Sequence, residues 1–474
     1  MWLGLGGLWL LLAARGAERV ALFVGVTADG AQAAFAPPPA AEAGAEHVAL
    51  VETRRVVPSE GLPPEVRARD ANNNLDAVRH VDGRVYLAFR SAPNHFASPD
   101  TSIFVVSSSD ERRWDFEARF ELGTDLREPR LLSQGRRLFL YVSKLGKVPY
   151  DFEPQGVWVS EKVSFGHGPP GVVAGQGAPS EQGGPSGQPT TPSWSALEEL
   201  DLPGHIVWRL KSVGGRGWMT AYRGGGNIYD FTGDPIGVGL FTSGDGRRWA
   251  PADPAHPYVY EGGVSETDFE FAPDGSLLAV GRNEAGDSEN GFGSVVCSAS
   301  AGAVGDWSCT SDPRKFDSPL LFSHAGETYL VARRTANEDG AYDRGVGWGA
   351  LRSVVNQLAY ISSAKRCSLF HVVRSGASAP RVAYMLDLPS RGDTCFPAVV
   401  ASSEPDEVVL YNYSSDIAGP DVAWSVGQRR PTYIYRHVLR FGAAADPREA
   451  YSPREAVAPP DAPVPVNSAL PPRG

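Results

Sequence analysis

The residues best suited to chemistry in this sequence are acids and arginines that recur at matching places along the chain. Acids stand near the starts of apolar segments, and arginines end the strand-like segments that follow. The acids are Asp76, Glu128, Glu266, Asp268, Asp317 and Asp393, and the arginines are Arg90, Arg223, Arg282 and Arg333, with Arg334 adjacent. Carboxylates with shifted pKa values act as general acids and bases, and guanidinium groups bind carboxylates through paired hydrogen bonds. These residue types predict an anion-binding site with acid–base chemistry.

These acids and arginines occupy equivalent positions in a sequence repeat. Six segments share an acidic or polar opening, an apolar stretch, a turn and a second strand-like run, and they end at Arg90, Ser143, Arg223, Arg282, Arg333 and Tyr413. The intervals are 53, 80, 59, 51 and 80 residues. Both long intervals contain insertions, at residues 166–193 and 335–366. Removing about 28 residues from each interval gives a repeat period of about 52 residues. A period close to this, with several strands per repeat, is typical of a propeller blade.

The predicted fold class is therefore all-β, a six-bladed propeller of four-stranded antiparallel blades over residues 47–441. Residues 47–57 are expected to supply the fourth strand of the last blade, because closing the ring removes exposed edges. In an antiparallel meander, the start of the inner strand and the end of the second strand lie on one face. We call this the upper face, and we expect the acids and arginines to converge there around the central axis.

Two turns share the pattern S-x-D-x-x-x-W, from Ser108 to Trp114 and from Ser243 to Trp249. The aspartate can accept hydrogen bonds from the turn backbone while the tryptophan packs beneath it. Both turns are expected to join a third strand to an outer strand, and their role is structural.

These turns, the segment YLAFR followed ten residues later by Asp100, and the segment SETDFEFAPDGSLLAVGRNE together resemble the sialidase superfamily of six-bladed propellers. The resemblance covers roughly residues 47–441. It implies that Asp100 is the acid/base residue and that Glu266 activates a nucleophilic tyrosine. It also implies that Arg90 and Arg282, with Arg333 or Arg334, contribute to binding the carboxylate of an acidic sugar.

The sequence departs from the sialidase pattern at two positions. Asn73 and Asn74 stand where that superfamily carries an arginine on the first inner strand, and Phe396 stands where the nucleophilic tyrosine is expected. Tyr413, at the end of a second strand on the same face, is the candidate substitute. The expected function is hydrolysis of terminal, acidic sugars from glycans.

Two alternatives remain open at this stage. Carboxylates at inner-strand starts resemble those of propeller glycosidases that act on neutral sugars, with Asp76, Glu128 and either Glu266 or Asp268 as the candidates. Alternatively, the propeller binds acidic glycans or a partner protein without catalysis, which Phe396 favours. His95 lies five residues before Asp100 and is either a substrate contact or an ordinary loop histidine.

The composition of the chain disfavours several classes of binding partner. The net charge of −11 disfavours nucleic acid, and no apolar run beyond the amino terminus supports a multi-pass membrane protein. No histidine pair has metal-ligand spacing, so neither a metal nor another cofactor is expected, and the predicted state is a monomer binding a glycan or small sugar.

The ends of the chain and the cysteines indicate where in or outside the cell the protein is found. Residues 1–17 resemble a signal or anchor segment, residues 18–46 a low-complexity linker, and residues 442–474 a proline-rich tail. Residues 166–193 are expected to be a disordered insertion. Cys297 and Cys309 are placed to form a disulfide, and Cys367 with Cys395 could pin the insertion of the fifth blade. The chain is expected to be secreted, periplasmic or at the cell surface, with a cytoplasmic location as the alternative.

Overall fold

The structure is a computed structural model. It describes residues 8–13, 19–24, 48–149, 154–163, 193–224, 235–283, 286, 292–336, 340–346, 349–375 and 378–442. The predicted leader at residues 1–17, the linker at 18–46, the insertion at 166–193 and the tail at 442–474 lie mostly or wholly outside the described residues. Near the amino terminus, strands β1 (Leu8–Ala13) and β2 (Arg19–Val24) pair antiparallel. Across the described ranges, no helix is long and apolar enough to span a membrane.

The first three blades follow one another along the chain. Blade 1 contains β4 (Ala71–Arg79), β5 (Val85–Ala92), β6 (Ser102–Ser108) and β7 (Asp115–Phe120). Blade 2 contains β8 (Leu126–Gln134), β9 (Arg137–Lys144), β10 (Gly156–Glu161) and β11 (Glu198–Glu199). Blade 3 contains β12 (Ile206–Val213), β13 (Arg216–Arg223), β14 (Ile236–Ser243) and β15 (Ala250–Pro251), with β16 (Tyr260–Gly262) also paired to β14.

The last three blades repeat the plan. Blade 4 contains β17 (Val264–Phe271), β18 (Leu277–Asn283), β19 (Ser294–Ala299) and β20 (Ser308–Asp312). Blade 5 contains β21 (Asp317–His324), β22 (Glu327–Thr335), β23 (Lys365–Ser375) and β24 (Ser378–Leu388). Blade 6 contains β25 (Ala398–Ala401), β26 (Glu407–Ser415), β27 (Thr432–Phe441) and β3 (Val48–Val57). Helices α1 (Gly349–Ile361) and α2 (Trp424–Gly427) lie in the upper loops of blades 5 and 6.

The expected fold class is confirmed, including the closure of the ring. Strand β3 pairs antiparallel with β27, so the amino-terminal strand completes the last blade, as the sequence predicted. Antiparallel pairs within each blade place inner-strand starts and second-strand ends at the upper face. The described sheets therefore form a six-bladed propeller.

Two boundaries differ from expectation. The sequence predicts the first inner strand over residues 76–81, whereas β4 begins at Ala71 and includes Asn72 and Asn73, which are buried despite their polarity. The Asn72 amide donates to the backbone oxygens of Arg69 and Thr432, which makes its burial tolerable. The blade 5 insertion, expected to be an irregular loop, contains helix α1.

Both S-x-D-x-x-x-W turns lie where the sequence placed them, between the third and outer strands. Oδ1 of Asp110 accepts hydrogen bonds of 2.8 Å from the amides of Arg112 and Arg113, and these bonds lower the pKa of Asp110 to about 2. Asp245 binds the amides of Arg247 and Arg248 in the same way. Each turn thus stabilises the hairpin between the third strand and the outer strand of its blade.

Two disulfides join the four cysteines. Cys297 and Cys309 link β19 to β20 within blade 4, and Cys367 and Cys395 link β23 to the chain just before β25. The pairing matches the sequence expectation, and such bonds persist in oxidising compartments. The second bond crosses from blade 5 to blade 6 and holds the segment that carries Asp393.

Removal of the blade 4 disulfide is expected to destabilise the protein without affecting the upper face. The bond closes a loop with a sequence separation of 12. Loop-closure entropy for such a loop is about 3 kcal/mol, so the Cys297→Ala/Cys309→Ala variant should lose about that much free energy of unfolding in urea denaturation. An unchanged unfolding midpoint would show that the bond does not restrict the unfolded chain.

Candidate active site

Local backbone geometry aims several side chains at the upper face. Each inner strand from blade 1 to blade 5 has a register irregularity near its upper end. At three of these, a non-glycine residue adopts positive φ: Asn74 at 40°, Glu128 at 54° and Ser318 at 51°. Bulges of this kind re-aim side chains next to sites of function.

Two buried glutamates lie near the upper ends of inner strands in different blades. Glu128 on blade 2 and Glu266 on blade 4 are 9% and 7% exposed. Burial raises the pKa of Glu128 to about 7, with the negative charge of Glu266 adding to the effect. In the described part of the chain, Oε2 of Glu128 has no hydrogen-bond partner. Glu128 is thus a carboxyl group that can hold a proton near neutral pH.

Glu266 is held differently. Its Oε1 lies 2.9 Å from Nη1 of Arg282, and its Oε2 accepts a hydrogen bond of 2.8 Å from the amide of Ser318. Burial raises the pKa of Glu266, while the charge of Arg282 opposes the rise. Neither contact involves a tyrosine hydroxyl. Two carboxyl groups in different environments therefore share one surface.

A second cluster lies at blade 5. Arg333 donates through Nη2 to Asp317 at 3.3 Å, through Nε to the Tyr360 hydroxyl at 3.0 Å, and through Nη1 to the Thr394 oxygen at 3.1 Å. Tyr360 comes from helix α1, and its hydroxyl donates to Asp317. Although burial opposes the charge of Asp317, Lys315 and Arg333 keep its pKa below the ordinary value.

Asp393 is the centre of a third cluster and is fully buried. Its Oδ1 accepts hydrogen bonds from the Tyr413 hydroxyl at 3.0 Å and from Trp424 Nε1 at 2.9 Å, and its Oδ2 lies 2.7 Å from Nδ1 of His95. Burial raises the pKa of Tyr413 well above its ordinary value, and the neighbouring Asp393 adds to the rise. Tyr413 is therefore a neutral donor to Asp393.

Arg90 forms a fourth cluster at the junction of blades 1 and 2. The buried Arg90 contacts Asp125 at 2.7 Å, and Arg127 binds the other oxygen of the same carboxylate. Burial lowers the pKa of Arg90 to about 10, against the opposing charge of Asp125. Arg90, Arg282 and Arg333 all lie on the upper face, but each is already ion-paired with a carboxylate.

Asp76 and Asp268 connect blades instead of facing the upper surface. Oδ2 of Asp76 accepts the amide of Leu131 on the next inner strand at 2.8 Å, and Oδ2 of Asp268 accepts the amide of Leu321 at 2.6 Å. The two aspartates thus make the same contact between neighbouring blades, at equivalent positions two residues after Asn74 and Glu266. Their carboxylates replace a missing backbone partner.

Three other predicted residues lie apart from the clusters. Arg334 points to the opposite side of β22 from Arg333 and binds Asp387 of β24 at 2.9 and 2.6 Å. Arg223 is exposed, with its guanidinium carbon 5.6 Å from the centroid of the Tyr258 ring. Asp100 is exposed in the upper loop between β5 and β6, and its backbone amide donates to Ser98.

Arg130, on the same inner strand as Glu128, is buried against aromatic rings of the core. This fully buried guanidinium lies 4.2 Å from the Phe396 ring centroid and 4.8 Å from that of Trp208. Phe396, at the position where the resemblance implies a tyrosine, therefore packs in the core of the propeller. Burial lowers the pKa of Arg130 to about 9. The two rings contact each other edge to face, with centroids 5.2 Å apart, and the cation packs against both of them.

Sequence reasoning did not single out several members of these clusters. They are Asp125, Arg127, Arg130, Tyr360 and Trp424. Asp125 and Arg127 flank the start of β8 and could have been found from the repeat, because they precede Glu128 by three residues and one residue, respectively. Tyr360 and Trp424 come from insertions between strands, where the repeat gives no register.

The arrangement can perform proton transfer. Glu128 can donate a proton, Glu266 and Asp393 can hold negative charge, and His95 can accept a proton. In the described residues, no group of three or more His, Cys, Asp or Glu is placed to hold a metal ion.

Comparison with known proteins identifies the fold and little beyond it. No protein-family model matches the chain, and no curated protein matches it. A Dyadobacter fermentans protein of unknown function matches with a TM-score of 0.51 and 13% identity, covering 83% of this chain and 99% of its own. At that identity, the likeness shows a shared fold.

Sialidases are among the other structures that match. The phage phi92 endosialidase has a TM-score of 0.49 and 12% identity, covering 84% of this chain and 69% of its own. A Trypanosoma rangeli sialidase in complex with the inhibitor DANA has a TM-score of 0.47 and 13% identity, covering 79% of this chain and 55% of its own.

Proposed function

We propose that this protein is a glycoside hydrolase whose reaction takes place at Glu128 and Glu266. The observation that carries the proposal is the burial of these two glutamates close enough for the charge of Glu266 to help raise the pKa of Glu128 to about 7. Glycosidases generally need one carboxyl group that donates a proton and one that is ionised. Glu128 suits the first role, and Glu266, ion-paired with Arg282, suits the second.

In this proposal, Glu128 protonates the glycosidic oxygen as the bond to the anomeric carbon breaks. Glu266 stabilises the positive charge that develops on the sugar ring. A general acid must carry its proton before the reaction begins. The raised pKa of Glu128 allows this carboxyl group to be protonated near neutral pH. Burial of both groups strengthens these electrostatic interactions relative to water.

A neutral sugar is the substrate that the ion pairs favour. Arg90, Arg282 and Arg333 each have a buried carboxylate partner, so an incoming anionic sugar would have to compete with that partner. Breaking a buried ion pair leaves an uncompensated charge and is costly. The proposed substrate is therefore a terminal neutral sugar, and the two disulfides favour an exported enzyme.

An acidic sugar is the second candidate, favoured by Tyr413. Its hydroxyl donates to Asp393 at 3.0 Å, so this carboxylate could take the tyrosine proton as the oxygen attacks a sugar. In that reading, Asp100 is the acid, and Arg90, Arg282 and Arg333 bind the sugar carboxylate.

A panel of fluorogenic glycosides tests the proposal. We expect the wild-type protein to release fluorophore from an arabinoside or a fucoside and not from a sialoside. Glu266→Gln should abolish that release, because the ionised carboxylate is lost, whereas Asp100→Ala should retain it within a few-fold. Turnover of the sialoside that depends on Asp100 would select the acidic-sugar candidate. Failure to hydrolyse any of the three, with the fold intact by circular dichroism, would favour a non-catalytic binding protein.

A further inference from the structure

A buried carboxylate orients the one histidine of the upper clusters. Both hydrogen bonds to Oδ1 of Asp393 come from neutral donors, the Tyr413 hydroxyl and the Trp424 indole, so Oδ2 is left for His95. An ionised carboxylate can only accept hydrogen bonds. The proton of a neutral His95 must therefore reside on Nδ1, and Nε2 carries a lone pair.

The charge state of Asp393 supports this assignment. Burial works against ionisation, but the interaction with His95, the charge of Arg333 and the bond from Trp424 together keep the pKa of Asp393 below its ordinary value. Burial also lowers the pKa of His95, and the positive charges of Arg127 and Arg90 act in the same direction, against the opposing charge of Asp393. The histidine is thus neutral at pH 7 beside an ionised aspartate.

The ring of His95 is held in place while part of it is exposed. The side chain of His95 is 15% exposed, whereas that of Asp393 is fully buried. Trp424 and Phe96 contact the ring edge-on, each with a centroid separation of 6.2 Å. In the described part of the chain, no residue forms a hydrogen bond with Nε2, so this atom is left for a water molecule or a substrate.

The loop that carries His95 is tied to the strand that carries Glu128. Arg127 donates to the backbone oxygen of His95 and, through Nε, to Asp125. Arg127 directly precedes Glu128 in the chain, so the loop is anchored one residue from the proposed proton donor. The histidine and Glu128 therefore belong to the same rigid part of the upper face.

We propose that His95 is the general base of the upper-face site and that Asp393 is its positioning residue. The assignment rests on the proposed hydrolase function. Nε2 of His95 removes a proton from a water molecule whose oxygen forms the new bond to the anomeric carbon. As the glycosidic bond breaks, its oxygen takes the proton of Glu128. The reaction ends with His95 protonated and Glu128 ionised, and exchange with solvent restores both.

Turnover across pH 5 to 9 tests this assignment with two variants and one control. His95→Gln keeps a polar side chain but removes the base, and Asp393→Asn removes the acceptor that fixes the Nδ1 proton. Both are expected to lower kcat about 10²- to 10⁴-fold on the glycoside that the wild-type protein cleaves, the usual contribution of a general base. His371→Gln is the matched control, because His371 pairs with Glu327 away from the upper face, at 2.9 Å. It should change kcat less than about twofold.

Carbethoxylation with diethyl pyrocarbonate provides a readout independent of hydrolysis. We expect His95 to react faster than His371 in the wild-type protein, because Nε2 of His371 is hydrogen-bonded to Glu327 at 2.9 Å and Nε2 of His95 has no such partner among the described residues. Asp393→Asn should slow the reaction of His95. Full turnover by His95→Gln would overturn the assignment of the base and leave the hydrolase proposal standing. If wild type hydrolyses no glycoside, the hydrolase proposal fails, and slow modification of His95, or modification that Asp393→Asn does not change, overturns the dyad as well.

Discussion

Glu128→Gln is expected to slow hydrolysis of a glycoside with an alkyl leaving group by about 10²- to 10⁴-fold, the range that general acid catalysis contributes. Glutamine keeps the shape of the side chain but has no proton to donate to the departing oxygen. An aryl glycoside needs less help from an acid, because its leaving group is stable as an anion. The loss should therefore be much smaller for the fluorogenic aryl substrate than for the alkyl one.

The pH profile should identify the same group. Since the pKa of Glu128 is about 7, the protonated fraction falls as the pH rises through neutrality. Wild-type kcat/KM on the alkyl glycoside should decline above about pH 7, and in Glu128→Gln this alkaline decline should disappear. On the acidic side, activity should fall as Glu266 becomes protonated, above the ordinary range for glutamate because burial raises its pKa.

The free energy of unfolding of Glu128→Gln is the control that separates lost catalysis from misfolding. A carboxyl group whose pKa is raised in the folded protein binds its proton more tightly there than in the unfolded chain. The folded state therefore loses stability as the pH rises from the ordinary glutamate value through about 7. The neutral glutamine escapes this penalty, so the variant should be more stable than wild type at pH 8, by up to roughly 3 kcal/mol. Reduced activity together with reduced stability would point to misfolding instead.

Glu270→Gln is the matched variant for activity. Glu270 lies on the same inner strand as Glu266, but it is ion-paired with Lys211 at 2.6 Å, towards the lower end of the strand. Its replacement should leave kcat/KM within about twofold of wild type. An equal loss of activity in Glu128→Gln and Glu270→Gln would contradict the assignment of Glu128 as the acid.

The sequence predicted the propeller because strand periodicity, turn residues and the repeat all act over short distances. Antiparallel pairing then determines which strand ends share a face, so Arg90, Arg282, Arg333, Glu128 and Glu266 could be placed on the upper face without coordinates. Alternation along a strand could also have separated Arg334 from Arg333, since neighbouring residues point to opposite sides.

The partner of each charged residue could not be predicted in the same way. Asp76 and Asp268 bind backbone amides of the next blade, a contact that depends on how neighbouring inner strands are staggered. Tyr360 and Trp424 reach the clusters from helices within insertions. Such contacts are long-range, and nothing in the local sequence encodes them. Asp393 was noted as an acid of the upper face, but its three donors come from three different segments.

The charge balance of the upper face follows from these long-range pairs. A cluster of arginines alone would attract an anionic ligand, as the sequence first suggested. Once Asp125, Glu266 and Asp317 are placed beside Arg90, Arg282 and Arg333, each of these three arginines has a carboxylate partner of its own chain. The functional interpretation shifts from anion binding towards acid–base catalysis for that physical reason.

Asp125→Ala is expected to lower the free energy of unfolding by about 3–5 kcal/mol, the cost of removing one partner from a buried ion pair. The side chains of Asp125 and Arg90 are both fully buried, and Arg127 and Thr101 also bind this carboxylate. Without it, two guanidinium groups remain close together with no counter-charge. Urea denaturation at pH 7 should show a lower midpoint with an unchanged slope.

Glu121→Ala is the control for that measurement. Glu121 precedes Asp125 by four residues and pairs with Arg119, but the two side chains are 43% and 33% exposed. Solvent screens such a pair, so its loss should cost no more than about 1 kcal/mol. The two variants delete the same chemical group within one connection between blades, and they differ chiefly in burial.

Lowering the pH should weaken the same ion pair in the wild-type protein. Burial opposes the charge of Asp125, but Arg127 and Arg90 outweigh it and hold its pKa below the ordinary value. A depressed carboxyl pKa stabilises the folded state above the unfolded pKa of about 3.9, and that stabilisation is lost as the pH falls through the folded value. The stability difference between wild type and Asp125→Ala should therefore be full at pH 7 and shrink below about pH 4. A difference that is the same at pH 3 and pH 7 would mean that the aspartate stabilises the blade junction through packing, not through its charge.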